Sequence, residues 1–444
     1  MSGAGKKKMS QQDKSIKNSG PTAPIAVTGI GITSSIGMNA GEFSDSLRAG
    51  KSGIDHWTLS AGPPIPVGIG ARLPDFSLAA ALQQVEGVPE PLRRRVGLCA
   101  GRSPLGIQAA VLAALEAWIK AGLHQVPLDP QRLGIIVAGS NLNPQYSYGL
   151  HEKFQQNPEY LTPRYPLHYM DTDYVGTLSE IFQVQGEGFT VGGASASGNV
   201  AIIKACQAIG GEVIDACLVI GAPADLSPME LQGFYNIGAL GGRNFHDQPD
   251  KACRPFDRHH EGFIYGQAGA CMLLESPASA QRRGVPGLAR VTGGALVLDG
   301  NRLPDPNEEG EARAMALALA RAGLDPSEID YLNAHGTSSP LGDEIEVKAV
   351  KQVFKENVNR LWINSTKGLT GHCLTSAGVV EAIAAAIQLQ QGFLHPNKNL
   401  ENPIDNECRF CPPQSLPVSI RKAMSNSFGF GGIVTSIILE RGGL

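Results

Sequence analysis

Apolar positions along this chain follow two rhythms that take turns. Short, almost wholly apolar runs rich in Val and Ile read as buried strands, and longer Ala/Leu-rich runs with a helical period read as helices packed on them. Residues 23–37 (APIAVTGIGITSSIG) predict the first strand and a glycine–serine exit, followed by a short amphipathic helix and turn in FSDSLRAGKSGI. Residues 105–121 read as a helix, and residues 132–141 (RLGIIVAGSN) as the next buried strand. The same series then returns. Residues 286–300 match the opening strand in kind, 309–322 the helix and 330–339 (DYLNAHGTSS) the second strand. Residues 371–388 (GHCLTSAGVVEAIAAAIQ) match 192–209 (GGASASGNVAIIKACQAI), each a small-residue turn opening an apolar helix. The pattern predicts an α/β protein built from two copies of one β-α-β-α-β unit, residues 23–285 and 286–444. The first copy carries an insertion over residues 143–180, rich in Tyr, Pro and His, of the kind that caps a site or forms an interface. Residues 421–441 read as strand, glycine-rich turn, strand, with Phe428 and Phe430 at a mobile tip.

Composition narrows the class. Over 444 residues, 42% hydrophobic and 18% charged, the chain reads as a soluble globular protein, and a net charge of −4 offers no broad field for nucleic acid or a membrane surface. No apolar run is long enough to span a bilayer. Residues 1–22 are polar and Lys-rich, lack the apolar stretch of a signal peptide, and are expected to form a disordered tail. The eight cysteines are scattered, which points to reduced thiols and a cytoplasmic setting. Only Cys408 and Cys411 have a CxxC spacing. With no second ligand pair nearby they read as two unrelated loop thiols, and no metal site is expected.

Candidate chemistry sits in three segments. Ser195 lies among small residues in GGASASGNV just before an apolar helix, where a tight turn and a helix N-terminus can hold a developing oxyanion. Taken alone it reads more readily as an N-cap serine with packing alanines, and the two histidine segments turn the balance. His335, in NAHGTSS, falls at the end of a predicted buried strand, where α/β sheets place ligands, although a core histidine held by its own turn has the same pattern. His372 follows Lys367 in STKGLTGHCLTSAG. The duplication makes the turns of Ser195 and His372 equivalent, so they are expected to face one pocket. His259 and His260, in FDRHHEGF, read as surface residues.

Together these segments resemble the β-ketoacyl synthase family, of thiolase fold, over nearly all of residues 23–444. The family's TACASG, NAHGTSTxxGDxxE, KSxxGHxxGAAG and NSFGFGGxN are met here, in order, by GASASG, NAHGTSSPLGDEIE, TKGLTGHCLTSAG and NSFGFGGIV. The resemblance implies two thiolase-like halves forming a five-layer αβαβα sandwich, active as a homodimer. It assigns the acyl-accepting position to Ser195 and the two thioester-polarising histidines to His335 and His372. Lys367, supported by Glu346, would order the site, with Asp343 as further support. Thr337 and Ser339 would contact the phosphopantetheine arm of the substrate, the enzyme itself binding no cofactor. Phe234 would stand beside the malonyl carboxylate, and Phe430 would gate the site and lend its N–H to the oxyanion hole. Ser195 departs from the family's cysteine, Ile433 and Val434 replace a polar pair, and Gln267 stands where glutamate is frequent.

Serine changes the expected chemistry. A thiol ionises readily at a helix N-terminus, whereas an alcohol needs a general base within hydrogen-bond reach. Claisen condensation is therefore expected to be weak or lost, while decarboxylation of a malonyl thioester needs no covalent intermediate. The resemblance is nearest to stand-alone ketosynthase-like decarboxylases with serine for cysteine. These make acetyl- from malonyl-acyl carrier protein for polyketide β-branching in antibiotic biosynthesis. Three alternatives stay open: a condensing enzyme carrying a substituted cysteine, a non-catalytic partner subunit like a chain-length factor, and a serine acyltransferase or hydrolase. The expected partner is a malonyl-loaded, acidic acyl carrier protein. Lys51 and Arg93, Arg94 and Arg95 are available to meet it, although an arginine run is more often a solvated face.

Overall fold

A computed structural model describes residues 23–57, 65–66 and 68–443, so the expected N-terminal tail lies outside the described residues. The first repeat runs β1 (Ile25–Ser34), α1 (Leu105–Lys120), β2 (Leu133–Ala138), the insert helices α2 (Pro144–Gln156), α3 (Tyr165–Tyr169) and α4 (Thr172–Phe182), then β3 (Gly188–Val191), α5 (Ser197–Gly210), β4 (Ala216–Gly221), α6 (Pro228–Asn236) and β5 (Ala268–Glu275). The second runs β6 (Ala289–Leu298), α7 (Glu308–Ala322), β7 (Tyr331–Asn333), α8 (Pro340–Phe354), β8 (Trp362–Asn364), α9 (Ala377–Gln391), a short edge strand β9 (Arg409–Phe410), β10 (Lys422–Gly429) and β11 (Ile433–Arg441).

The strands line up as β9-β8-β7-β10-β11-β6-β1-β5-β4-β2-β3. With the extra edge strand β9 set aside, each repeat thus uses its five strands in the order first, fifth, fourth, second, third. The pairings are antiparallel twice and then parallel twice in both. The repeats join where residues 25–27 of β1 pair antiparallel with residues 289–291 of β6. This unit is larger than the β-α-β-α-β legible in the sequence. β3 escapes because it is four residues long and partly exposed at the sheet edge. Phe428 lies inside β10, opposite Val434, so the tip between β10 and β11 carries Phe430 alone.

Burial explains the layering. In β4, Cys217 and Val219 point to one apolar cluster while Ala216, Leu218 and Ile220 point to another. A strand apolar on both faces must be covered on both. α1 and α4 cover the outer face of the first repeat's half of the sheet, and α7 and α8 that of the second repeat's half. α5 and α9 fill the space between, which is why residues 377–389 of α9 are buried all round. The result is a five-layer αβαβα arrangement. The two central helices meet at glycines: a Cβ on Gly198 would lie 2.6 Å from the Val379 nitrogen, and one on Gly378 2.6 Å from that of Asn199. That contact brings the turns before α5 and α9 side by side.

Candidate active site

Both turns are sharp and carry backbone strain at equivalent positions. Ala194, just before Ser195, has φ +47°, and Leu374 in the second repeat has φ +50°. The turn sets Ser195 in the wall of a cavity of about 1130 Å³, with His335, His372, Phe234 and Phe430 in the same wall. Ser195 Oγ lies 2.8 Å from His372 Nε2. Gly429 closes over the turn, with no room for a Cβ against the Gly193 carbonyl.

His372 is fixed on three sides. Its N–H donates to the Ile264 carbonyl at 2.6 Å, its own carbonyl accepts from Gly266 at 2.9 Å, and its ring packs edge-on to Phe263 at 5.4 Å. The Leu374 N–H donates to Nδ1 at 3.3 Å. A nitrogen that accepts carries no proton, so the proton of the neutral ring sits on Nε2 and points at Ser195 Oγ.

His335 follows β7, at the carboxyl end of a parallel strand. Glu346 binds the turn with both oxygens, accepting from the N–H groups of His335 and Gly336 at 2.8 Å each. Lys367, 1% exposed, donates to the His335 carbonyl at 2.6 Å and lies 3.4 Å from its Nδ1. An ammonium has only protons to offer, so His335 too is left with its proton on Nε2. The rings of the two histidines stand edge to face, 5.5 Å apart.

The expected support of Lys367 by Glu346 is corrected. The carboxylate on Lys367 is Glu381, in the second turn of α9, while Glu346 holds the His335 backbone. Glu381 was missed, although a lone carboxylate in GVVEAIAAAIQ is a signal, since a charge inside a buried helix requires a partner. Asp343 accepts from Phe256 N–H at 2.8 Å and Ser338 N–H at 3.1 Å, and His260 Nδ1 lies 3.1 Å away. His260 is therefore a buried brace, whereas its neighbour His259 is exposed as expected. Thr337 and Ser339 line the cavity, their hydroxyls 3.0 Å apart. Gln267 links Leu73 N–H, Tyr265 Oη and Asp225 Oδ1, and a glutamate there would set a second carboxylate against Asp225. Nothing in the structure explains Ile433, but Val434 lines the cavity opposite Phe428. Within the arginine run, Arg93 and Arg95 are tied to the carbonyls of Leu82 and Ile181. Cys408 and Cys411 flank β9 and are buried in different clusters. The insert lines the outer cavity with Tyr148, His151, Tyr165 and Tyr169.

Burial and then the Lys367 charge hold both imidazoles well below the ordinary histidine range. Selective 15N-histidine labelling is expected to show both rings as neutral Nε2–H tautomers that do not titrate between about pH 8 and 6. A midpoint near the free value of about 6.5 for either ring would contradict this geometry. The unfolded chain takes up these protons first, so stability is also expected to fall as pH drops below about 6.5.

Comparisons with known proteins agree on the family. Residues 22–280 match the model of the beta-ketoacyl synthase N-terminal domain, and residues 288–401 that of the C-terminal domain. The chain is 37% identical, over 94% of its length and 96% of the relative, to the polyketide biosynthesis malonyl-ACP decarboxylase PksF of Bacillus subtilis. It is 30% identical, over 94% and 98%, to 3-oxoacyl-[acyl-carrier-protein] synthase 2 of Coxiella burnetii. Among solved structures it resembles the ishigamide ketosynthase/chain length factor with a TM-score of 0.81 and 27% identity, over 95% of this chain and 99% of that one. No helix among the described residues is long and apolar enough to cross a membrane.

Proposed function

The chain belongs to the β-ketoacyl synthase family, and from that premise we propose that it decarboxylates malonyl-acyl carrier protein to acetyl-acyl carrier protein in polyketide biosynthesis, without condensing. The observation that carries the reading is the state of His372. Its Nδ1 accepts from the backbone, so its Nε2–H can only donate toward Ser195. The serine thus faces a donor instead of a base, and an alcohol without a base is a poor nucleophile. The same donor is well suited to a thioester oxygen.

In this reading the phosphopantetheine arm of the carrier enters past Thr337 and Ser339. The malonyl carboxylate rests among Phe234, Phe263 and Phe430, whose rings cluster with centroids 5.4 and 6.3 Å from that of Phe234. Apolar surroundings disfavour the carboxylate and favour neutral CO2. As the C–C bond breaks, charge moves onto the thioester oxygen, where the Nε2–H groups of His335 and His372 receive it, that of His372 turning from Ser195 Oγ to the substrate. Protonation of the carbon completes the acetyl group. The decarboxylase relative supports this assignment by its name and its coverage of the chain. A homodimer in the cytoplasm belongs to the same reading, as does a place in β-branching.

A condensing activity is the second reading, favoured by the synthase relative at 30% identity. Intact-protein mass spectrometry with malonyl-loaded carrier separates the two. Loss of one CO2 from the carrier with the enzyme unmodified supports decarboxylation, whereas an acylated enzyme moves the chemistry onto Ser195. Ser195→Ala is expected to keep decarboxylation within a few-fold of wild type. Its complete loss would mean that the hydroxyl takes part in bond making.

A further inference from the structure

One buried acid in the cavity has no part in this scheme. Glu311, in the first turn of α7, is 2% exposed and lines the same cavity as Ser195 and His335. Its Oε2 has no hydrogen-bond partner among the described residues. The groups around it are carboxylates: Glu308 on its own helix, Asp299 at the end of β6, and Asp343 and Glu346 on α8. Asp299 touches this first turn closely, since a Cβ on Gly310 would lie 3.1 Å from its carboxyl carbon, and its Oδ1 is also without a partner. The nearby Arg313 donates to the Leu298 carbonyl at 2.6 Å, and its charge draws the Asp299 carboxyl down against the effect of burial. Asp299 N–H donates to the Gly432 carbonyl at 3.0 Å, which ties this acidic corner to the turn that carries Phe430.

An unpaired, buried carboxylate is costly, and a neutral carboxylic acid is not. Burial, reinforced by Glu346 and Asp299, raises Glu311 well above the usual carboxylate range. A neutral acid lining a reaction cavity is a proton store, and the decarboxylation consumes one proton per turnover.

We propose that Glu311 is the acid that returns a proton to the substrate carbon after CO2 has left. The proposal rests on the decarboxylase reading. Departure of CO2 breaks the bond between the carboxylate carbon and the adjacent methylene carbon, and the electron pair moves into the thioester as an enolate. The enolate carbon then takes the Glu311 proton, relayed by water for which the cavity has room, and the third C–H bond of the acetyl group forms. Glu311 is left as a carboxylate and regains its proton from solvent through the cavity mouth.

The test compares wild type, Glu311→Gln and Glu311→Asp as full chains with malonyl-loaded carrier, following acetyl-carrier formation against pH in H2O and D2O. Wild type is expected to lose activity as pH rises and Glu311 ionises. Glu311→Gln is expected to be slower by about 10²-fold, the scale of a lost general acid, and to lose that alkaline limb together with the solvent isotope effect. Glu311→Asp, which keeps an acid, is expected to recover part of the rate and a shifted limb. Glu311→Gln with wild-type rate and pH profile overturns the proposal while leaving the decarboxylase reading intact. If Glu311→Gln fails to fold, the wild-type profile decides alone: a rate independent of pH on the alkaline side overturns the proposal. A wild-type enzyme that releases no CO2 overturns both readings.

Discussion

Replacing His335 or His372 by alanine is expected to slow acetyl-carrier formation by two to three orders of magnitude. Each imidazole offers one preorganised N–H to the oxygen that becomes charged, and loss of one such donor costs about 3–4 kcal/mol of barrier. The effect should fall on turnover more than on carrier binding, because the donors matter most once the charge has moved. The backbone should survive the change. The His335 turn is held by Glu346 through main-chain N–H groups, and the His372 main chain by Ile264 and Gly266. Circular dichroism and thermal unfolding of each variant should therefore stay near wild type. Turnover within a few-fold of wild type in both variants would sink the enolate role and place the stabilising donors elsewhere in the cavity.

The sequence carried the repeat because each copy opens its central helix with the same small-residue turn, and close helix packing leaves only glycine at Gly198 and Gly378. Ser195, His335 and His372 were legible for a related reason: they sit where glycine-rich turns follow buried strands. Their protonation states were not legible. The proton on His372 is set by the Leu374 N–H, and that on His335 by Lys367, contacts that exist only once the two repeats are packed. The Glu346 assignment failed on similar grounds. Its place eleven residues after His335 suits either partner, and the fold turns both of its oxygens to the His335 turn. His260 was misplaced because two adjacent histidines beside an arginine look solvated, while Asp343 draws the second one inward. Phe263 gave no local sign of its place on the His372 ring, since that contact joins segments more than a hundred residues apart.

Glu381→Ala is expected to be the most destabilising substitution in the site. Lys367 and Glu381 are 1% and 2% exposed, and removing the carboxylate leaves a buried ammonium without its counter-charge. Breaking a buried pair from one side costs about 3–5 kcal/mol, read here as a lowered denaturation midpoint. Burial lifts Glu381 above the usual carboxylate range and Lys367 pulls it back, as the two halves of such a pair require. The double variant Lys367→Met/Glu381→Leu removes both charges and should regain most of that stability, because an apolar pair of similar volume fills the space without desolvated ions. It should not regain activity. Without the ammonium, His335 Nδ1 loses the donor that keeps its proton on Nε2, so a well-folded double variant is expected to turn over as slowly as His335→Ala. Full activity in that variant would mean that the lysine holds the fold and not the tautomer. A Glu381→Ala midpoint equal to wild type would mean that Lys367 finds another partner.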